Sequence, residues 1–238
     1  MSMIDKKIIE AAIKYARANK KAIAKKLTNT QNFPPEEQPV SVFMAGSPGA
    51  GKTEASKNLL ERLNATNVIR LDADELRNYF DLYDGKNSHL FQGAVSILVE
   101  KVFDMALKNS QSILLDGTMG AQYEKCKLNI ERSLRKGRFV QIYYVYQEPL
   151  LAWDVVLKRE LLEGRRINKD SFIAQYFASR SNIKLLKQHF GSKIRVDALM
   201  KDYNGKTNRF YKANISNIDI TIPEKYDMKL LEEIITID

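Results

Sequence analysis

Sulfur and imidazole are scarce in this sequence: Cys126 is the single cysteine, and His89 and His189 are the two histidines, among 238 residues. One thiol forms no internal disulfide and no cysteine metal cluster, and two histidines so far apart have no zinc-site spacing. No apolar run approaches the roughly 18 residues that mark a membrane-spanning helix. The N-terminus mixes Asp5 and Glu10 with its lysines instead of presenting an uncharged hydrophobic segment, which argues against a signal peptide. The expectation is a protein with no membrane span, at work in the cytoplasm. RRM, KH and zinc-finger patterns are missing, and so are internal repeats and low-complexity segments. An Asn-Lys-x-Asp guanine signature is also missing, which disfavours a GTPase, and the chain's size disfavours a motor ATPase.

What is present starts with 44% hydrophobic residues, enough for a real core, and a net charge of +9. That charge favours anionic small molecules and a lysine-rich solvated face over nucleic acid. The stretch Val40 to Thr53, VSVFMAGSPGAGKT, is an apolar run breaking into a small-residue loop. Gly46, Gly51, Lys52 and Thr53 match G-x-x-x-x-G-K-[ST], the P-loop. Such a loop aims backbone N–H groups at a phosphate from the start of the next helix. The candidate nucleotide-binding residues are therefore Gly46, Ser47, Pro48, Gly49, Ala50, Gly51, Lys52 and Thr53. Lys52 is expected on the β- and γ-phosphates of ATP, or GTP, and the Thr53 hydroxyl on Mg²⁺.

Further buried strands are read at Val68–Asp72 and Ser112–Thr118, and strands at Phe139–Tyr146 and Lys193–Met200, with Ile218–Ile222 as a last short alternating one. Helical periodicity covers Asn87–Lys108, Gln122–Lys136, the segment from Pro149 to Gly164, Asp170–Phe190 and a terminal helix from Pro223-Glu224 with Leu230, Leu231, Ile234 and Ile235 on one face. Tyr203-Asn204-Gly205-Lys206 reads as a hairpin turn. The three tyrosines of Phe139–Tyr146 are assigned to the core and sheet faces. Strands alternating with helices after a P-loop give a three-layer α/β/α nucleotide-binding fold of kinase type with a mainly parallel sheet.

Acids close two of these strands, where open α/β sheets keep their ligands. Asp72 is read as a cap or packing residue. Asp116 resembles a Walker-B acid, at the metal or the substrate, and Thr118 either bonds a substrate or caps the next helix. Arg159, Arg165 and Arg166 lie together near Gly164, as a cationic lid on the migrating phosphoryl group requires. Residues 1–39 read as a basic helical extension, of one or two amphipathic helices packed on the sheet's edge, and a Pro-rich linker; residues 40–238 form the kinase domain.

AGSPGAGKT, VIRLDADELR, ILLDGT, Arg159 and GRRI together resemble the zeta-toxin group of P-loop kinases, which are related to chloramphenicol phosphotransferase. That resemblance implies that Asp74 is the base on a sugar hydroxyl. It also implies that Asp116, Gly117 and Thr118 contact the acceptor, and that Arg159 and Arg165 are the lid arginines. The implied reaction is transfer of phosphate from ATP or GTP to the 3′-hydroxyl of UDP-N-acetylglucosamine, by a toxin with an antitoxin partner. The third-strand acid is Asp rather than Glu, one methylene shorter in reach, and Asn168 stands where the resemblance leads one to expect a lid proline. Another small-molecule kinase, a polynucleotide 5′-hydroxyl kinase and a nucleotide-gated binding module remain alternatives.

Overall fold

The computed structural model describes residues 2–164, 167–200 and 210–235, without the side chain of Glu163. Short, largely buried stretches and one exposed strand pair into one sheet: β1 (Val40–Ala45), β2 (Ile69–Asp72), β3 (Ile113–Asp116), β4 (Phe139–Tyr146), β5 (Arg195–Met200) and the exposed β6 (Phe210–Lys212). Their order is β2-β3-β1-β4-β5-β6, with β6 alone antiparallel. Tyr144 is buried within β4. The first four crossovers carry α2 (Lys52–Arg62), α3 (Gln92–Lys108), α4 (Tyr123–Leu134) and the pair α5 (Pro149–Glu163) and α6 (Lys169–Phe190). Every parallel strand therefore ends at the same sheet edge, and the loops that leave it build the site.

The basic N-terminal segment is one helix, α1 (Met3–Leu27), and it packs along α3 rather than on an edge strand. Ser2 and Asp5 start it with a reciprocal capping box: the Ser2 hydroxyl accepts the Asp5 N–H at 3.0 Å, and the Asp5 carboxylate accepts the Ser2 N–H at 2.8 Å. Ala12, Ala16 and Ala24 are buried on its inner face, where small side chains let the two helix axes come close; most of its lysines stay exposed. The 29–39 segment joins α1 to β1 without regular structure, and Glu36 bonds Ser112 and Asn67 there.

Two expectations are corrected at the C-terminal end. Ile218–Thr221 is a short helix, α7, not a strand: the Asn217 side chain accepts the Asp219 N–H at 2.8 Å, and Ile218 and Ile222 are buried while Ile220 is 75% exposed. A strand would turn all three isoleucines the same way, whereas a helical turn separates the middle one. The terminal helix, α8 (Met228–Ile234), starts at Asp227, whose carboxylate accepts the Leu230 N–H at 2.8 Å, rather than at Pro223-Glu224; the Glu224 carboxylate accepts from the Tyr176 hydroxyl at 3.0 and 3.1 Å and from the Lys225 and Tyr226 N–H groups at 3.0 and 3.2 Å. Of its four expected inner residues, Leu231 and Ile235 are buried. They join Trp153, Val156, Phe172, Ile173 and Tyr176 in a second core beneath α5 and α6. The Tyr203–Lys206 turn lies outside the described residues.

Candidate active site

The chain from β1 into α2 is shaped by three glycines of positive φ: Gly46 at 135°, Gly49 at 75° and Gly51 at 83°. At Gly46 a Cβ would lie 2.2 Å from the carbonyl oxygen of Val145, and at Gly49 2.0 Å from that of Ala152. Glycine is thus required twice over, by the backbone conformation and by the approach of β4 and α5. Gly49 is outside the four-position motif, and only the tertiary contact with α5 reveals its need. Lys52 is buried at the first turn of α2 and donates to the Ser47 carbonyl at 2.6 Å.

A cleft of about 230 Å³ opens over this loop. Pro48, Gly49, Gly51, Lys52 and Thr53 form its floor. Asp72, Asp74 and Asp116 come from the ends of β2 and β3, Thr118 from the next loop, and Arg159 from α5. The structure thus brings Lys52, Thr53, Asp74, Asp116, Thr118 and Arg159 to one concave surface, while Ser47 and Ala50 are buried in the loop beneath it. Arg165 and Arg166 lie outside the described residues.

Asp72 works through its neighbour: its Oδ1 accepts the Asp74 N–H at 2.9 Å and so fixes the turn that leaves β2. Burial pushes its carboxyl pKa up, and the nearby Asp74 and Asp116 charges add to that against the pull of Arg70. Asp74 is partly exposed and paired with Arg77, whose buried guanidinium also donates to Gln92 at 3.3 Å. Thr118 is held at both ends: its hydroxyl accepts the Gly120 N–H at 3.1 Å, and its carbonyl accepts the Gly46 N–H at 3.1 Å. Ser179 of α6 also donates to that carbonyl, at 2.7 Å.

Sequence reasoning overlooked Arg70, Arg77, Gln92 and Ser179. Arg70 did carry a signal: a charged residue inside VIRLD, two positions before Asp72 and so on the same strand face. Ser179 carried none, since nothing local distinguishes it from a solvent-facing helical serine.

Among the described residues no cluster of three or more His, Cys, Asp or Glu side chains could hold a metal ion unaided. A threonine hydroxyl and one carboxylate beside a phosphate-binding loop do suit Mg²⁺, which keeps much of its water and relies on substrate phosphates. No helix among those residues is long and apolar enough to cross a membrane.

A parallel sheet with a P-loop after its first strand, facing acids and an arginine across one cleft, defines a P-loop kinase. The Zeta toxin family model matches residues 23–216, and the chain belongs to that family. Solved structures agree on the fold. A structure from the PezAT chromosomal toxin-antitoxin system of the human pathogen Streptococcus pneumoniae is similar with a TM-score of 0.62 at 19% identity, over 81% of this chain and 80% of that one. The AvrRxo1-ORF1:AvrRxo1-ORF2 structure with sulphate ions is similar with a TM-score of 0.59 at 15% identity, over 98% of this chain and 74% of that one. A structure of the same pair with ATP gives 0.55 at 16% identity, over 87% of this chain and 65% of that one.

Proposed function

We propose that this kinase transfers the γ-phosphate of ATP to the 3′-hydroxyl of UDP-N-acetylglucosamine or a close nucleotide sugar. In this reading it acts in the cytoplasm as a toxin restrained by an antitoxin. The observation that carries the chemistry is the convergence of Lys52, Thr53, Asp74 and Arg159 on one cleft. Support for ATP comes from the P-loop and from the fold shared with a protein whose structure was determined with ATP. Support for the toxin role comes from family membership and from the toxin-antitoxin system named for the pneumococcal relative.

The acceptor hydroxyl lies against Asp74, which takes its proton as the oxygen attacks the γ-phosphorus. As that bond forms, the bond from phosphorus to the β,γ-bridging oxygen breaks and ADP leaves. Lys52 and Arg159 compensate the charge on the phosphoryl oxygens, with Arg165 assigned the same part. Thr53 and Asp116 would hold Mg²⁺, which supplies further neutralisation at the triphosphate. Thr118 binds the acceptor beside Asp116.

The test offers Mg-ATP with UDP-N-acetylglucosamine, other UDP-sugars, nucleosides and 5′-hydroxyl oligonucleotides to wild type and Asp74→Ala, reading product mass. A phosphorylated UDP-sugar formed by wild type alone is expected. Product on an oligonucleotide alone would replace the acceptor, and ATP binding without any product would turn the reading toward a nucleotide-gated binding module.

A further inference from the structure

The parallel register sets Asp72 beside Asp116 at the ends of β2 and β3. Their side chains are only 8% and 2% exposed, and two carboxylates so placed repel strongly unless a cation stands between them. Arg70 is that cation. Its Nη2 donates to Asp72 Oδ2 at 2.6 Å and to Asp116 Oδ2 at 2.7 Å, its Nη1 to Glu75 at 2.6 Å, and its Nε to Ser56 Oγ at 3.1 Å. Ser56 passes the link on, donating to Asp116 Oδ2 at 2.8 Å. All three nitrogens of the fork are used, and β2, β3 and α2 are joined through them.

We propose that Arg70 is a positioning residue and the resident counter-charge of this acid pair, fixing Asp116 and Asp72 and setting how strongly the cleft draws a divalent cation with nucleotide. The assignment rests on the kinase reading above. With Arg70 in place, part of the pull of Asp116 on a cation is cancelled, so the triphosphate must supply most of the hold. Without it, the acids attract a cation more strongly while their geometry loosens. Lysine would keep the charge but lose the fork.

The experiment is Mn²⁺ binding, followed by electron paramagnetic resonance with a non-hydrolysable ATP analogue, on wild type, Arg70→Gln and Arg70→Lys. Arg70→Gln should bind Mn²⁺ roughly threefold to tenfold tighter, as expected for loss of one nearby positive charge whose repulsion of the cation is screened to about water-like strength by solvent in the open cleft. Its phosphoryl transfer should fall. Arg70→Lys should stay within about twofold of wild type in Mn²⁺ affinity, since its charge is retained. If Arg70→Gln does not fold, the same gain is read between Asp72→Asn and the Asp72→Asn/Arg70→Gln double variant, in which a buried acid is removed together with its cation. Unchanged or weaker Mn²⁺ binding in a folded neutral variant overturns the counter-charge role and leaves the kinase reading intact. Wild type that binds no nucleotide overturns both.

Discussion

The Ser179 hydroxyl accepts the N–H of Gly46 at 2.8 Å across 133 residues of sequence. Its own proton goes to the Thr118 carbonyl, so a side chain from the middle of α6 ties the start of the P-loop to the loop after β3. Ser179→Ala should cost about 0.5–1.5 kcal/mol, the usual net worth of a hydrogen bond, because the Gly46 N–H and the Thr118 carbonyl keep their direct bond to each other. Thermal melting reads the loss. A rise in KM for ATP should accompany it, and an unaltered KM would show that the loop holds its shape without the staple.

Gly49→Ala should be severe, because the new Cβ meets a backbone oxygen that no side-chain rotation can move. The expected outcome is loss of measurable nucleotide binding by calorimetry, with a destabilisation of at least about 1–3 kcal/mol from backbone strain. Retained affinity would mean that α5 can withdraw from the loop.

Asp74→Asn should keep the turn, which is held by the Asp74 backbone N–H bonding to Asp72, while some stability is lost because the buried Arg77 guanidinium keeps only a neutral amide oxygen as its partner there. Transfer should drop roughly 10²- to 10⁴-fold, the usual share of a general base. Single-turnover kinetics at saturating ATP measure this, and a loss below about tenfold would remove the assignment.

Asp197 lies within β5, which pairs with β4 beyond β1 from the acid pair. Burial alone would raise its pKa, but the Asn214 N–H at 2.7 Å, the Tyr211 hydroxyl and Arg195 outweigh that and hold the carboxyl below its usual range. A folded pKa below the unfolded one means stabilisation that is present above the ordinary aspartate value, about 3.9, and lost as pH falls through the folded value. Melting temperature should therefore decline from about pH 5 toward pH 3, less steeply in Asp197→Asn. Parallel curves for the two proteins would exclude a contribution from this network.

Cys126 is buried, and burial raises its thiol pKa to about 11. Thiolate is the reactive form, so a disulfide reagent at neutral pH should leave it untouched until the chain is unfolded. Stoichiometric labelling under native conditions would show that α4 opens readily. The raised pKa also adds stability that is full below the unfolded value and lost as pH rises through about 11.

Much of this protein was legible in one dimension because its determinants are local. A buried parallel strand is a short apolar run, a P-loop is a spacing of glycines before Lys-Thr, and an acid at a strand's end falls at the sheet edge whatever surrounds it. Those features gave the strand sequence β1 to β5, the fold class and the positions of Lys52, Thr53, Asp74 and Asp116. Period alone failed at Ile218–Ile222, where two isoleucines four apart satisfy a strand and a helical turn equally; exposure of Ile220 in the folded chain separates them.

Tertiary structure alone decided the rest. Asp72 and Asp116 become neighbours through the register of β2 on β3, and only that pairing makes Arg70 a counter-charge. Gly49 is constrained by a carbonyl of α5, Ser179 by loops from two other crossovers, and α1 by the small-residue face that seats it on α3. The division follows from the range of the forces: backbone conformation and periodic burial are set by adjacent residues and can be read along the chain. Charge compensation, close backbone approach and shared hydrogen bonds depend on which distant atoms meet, and the sequence does not order those by proximity.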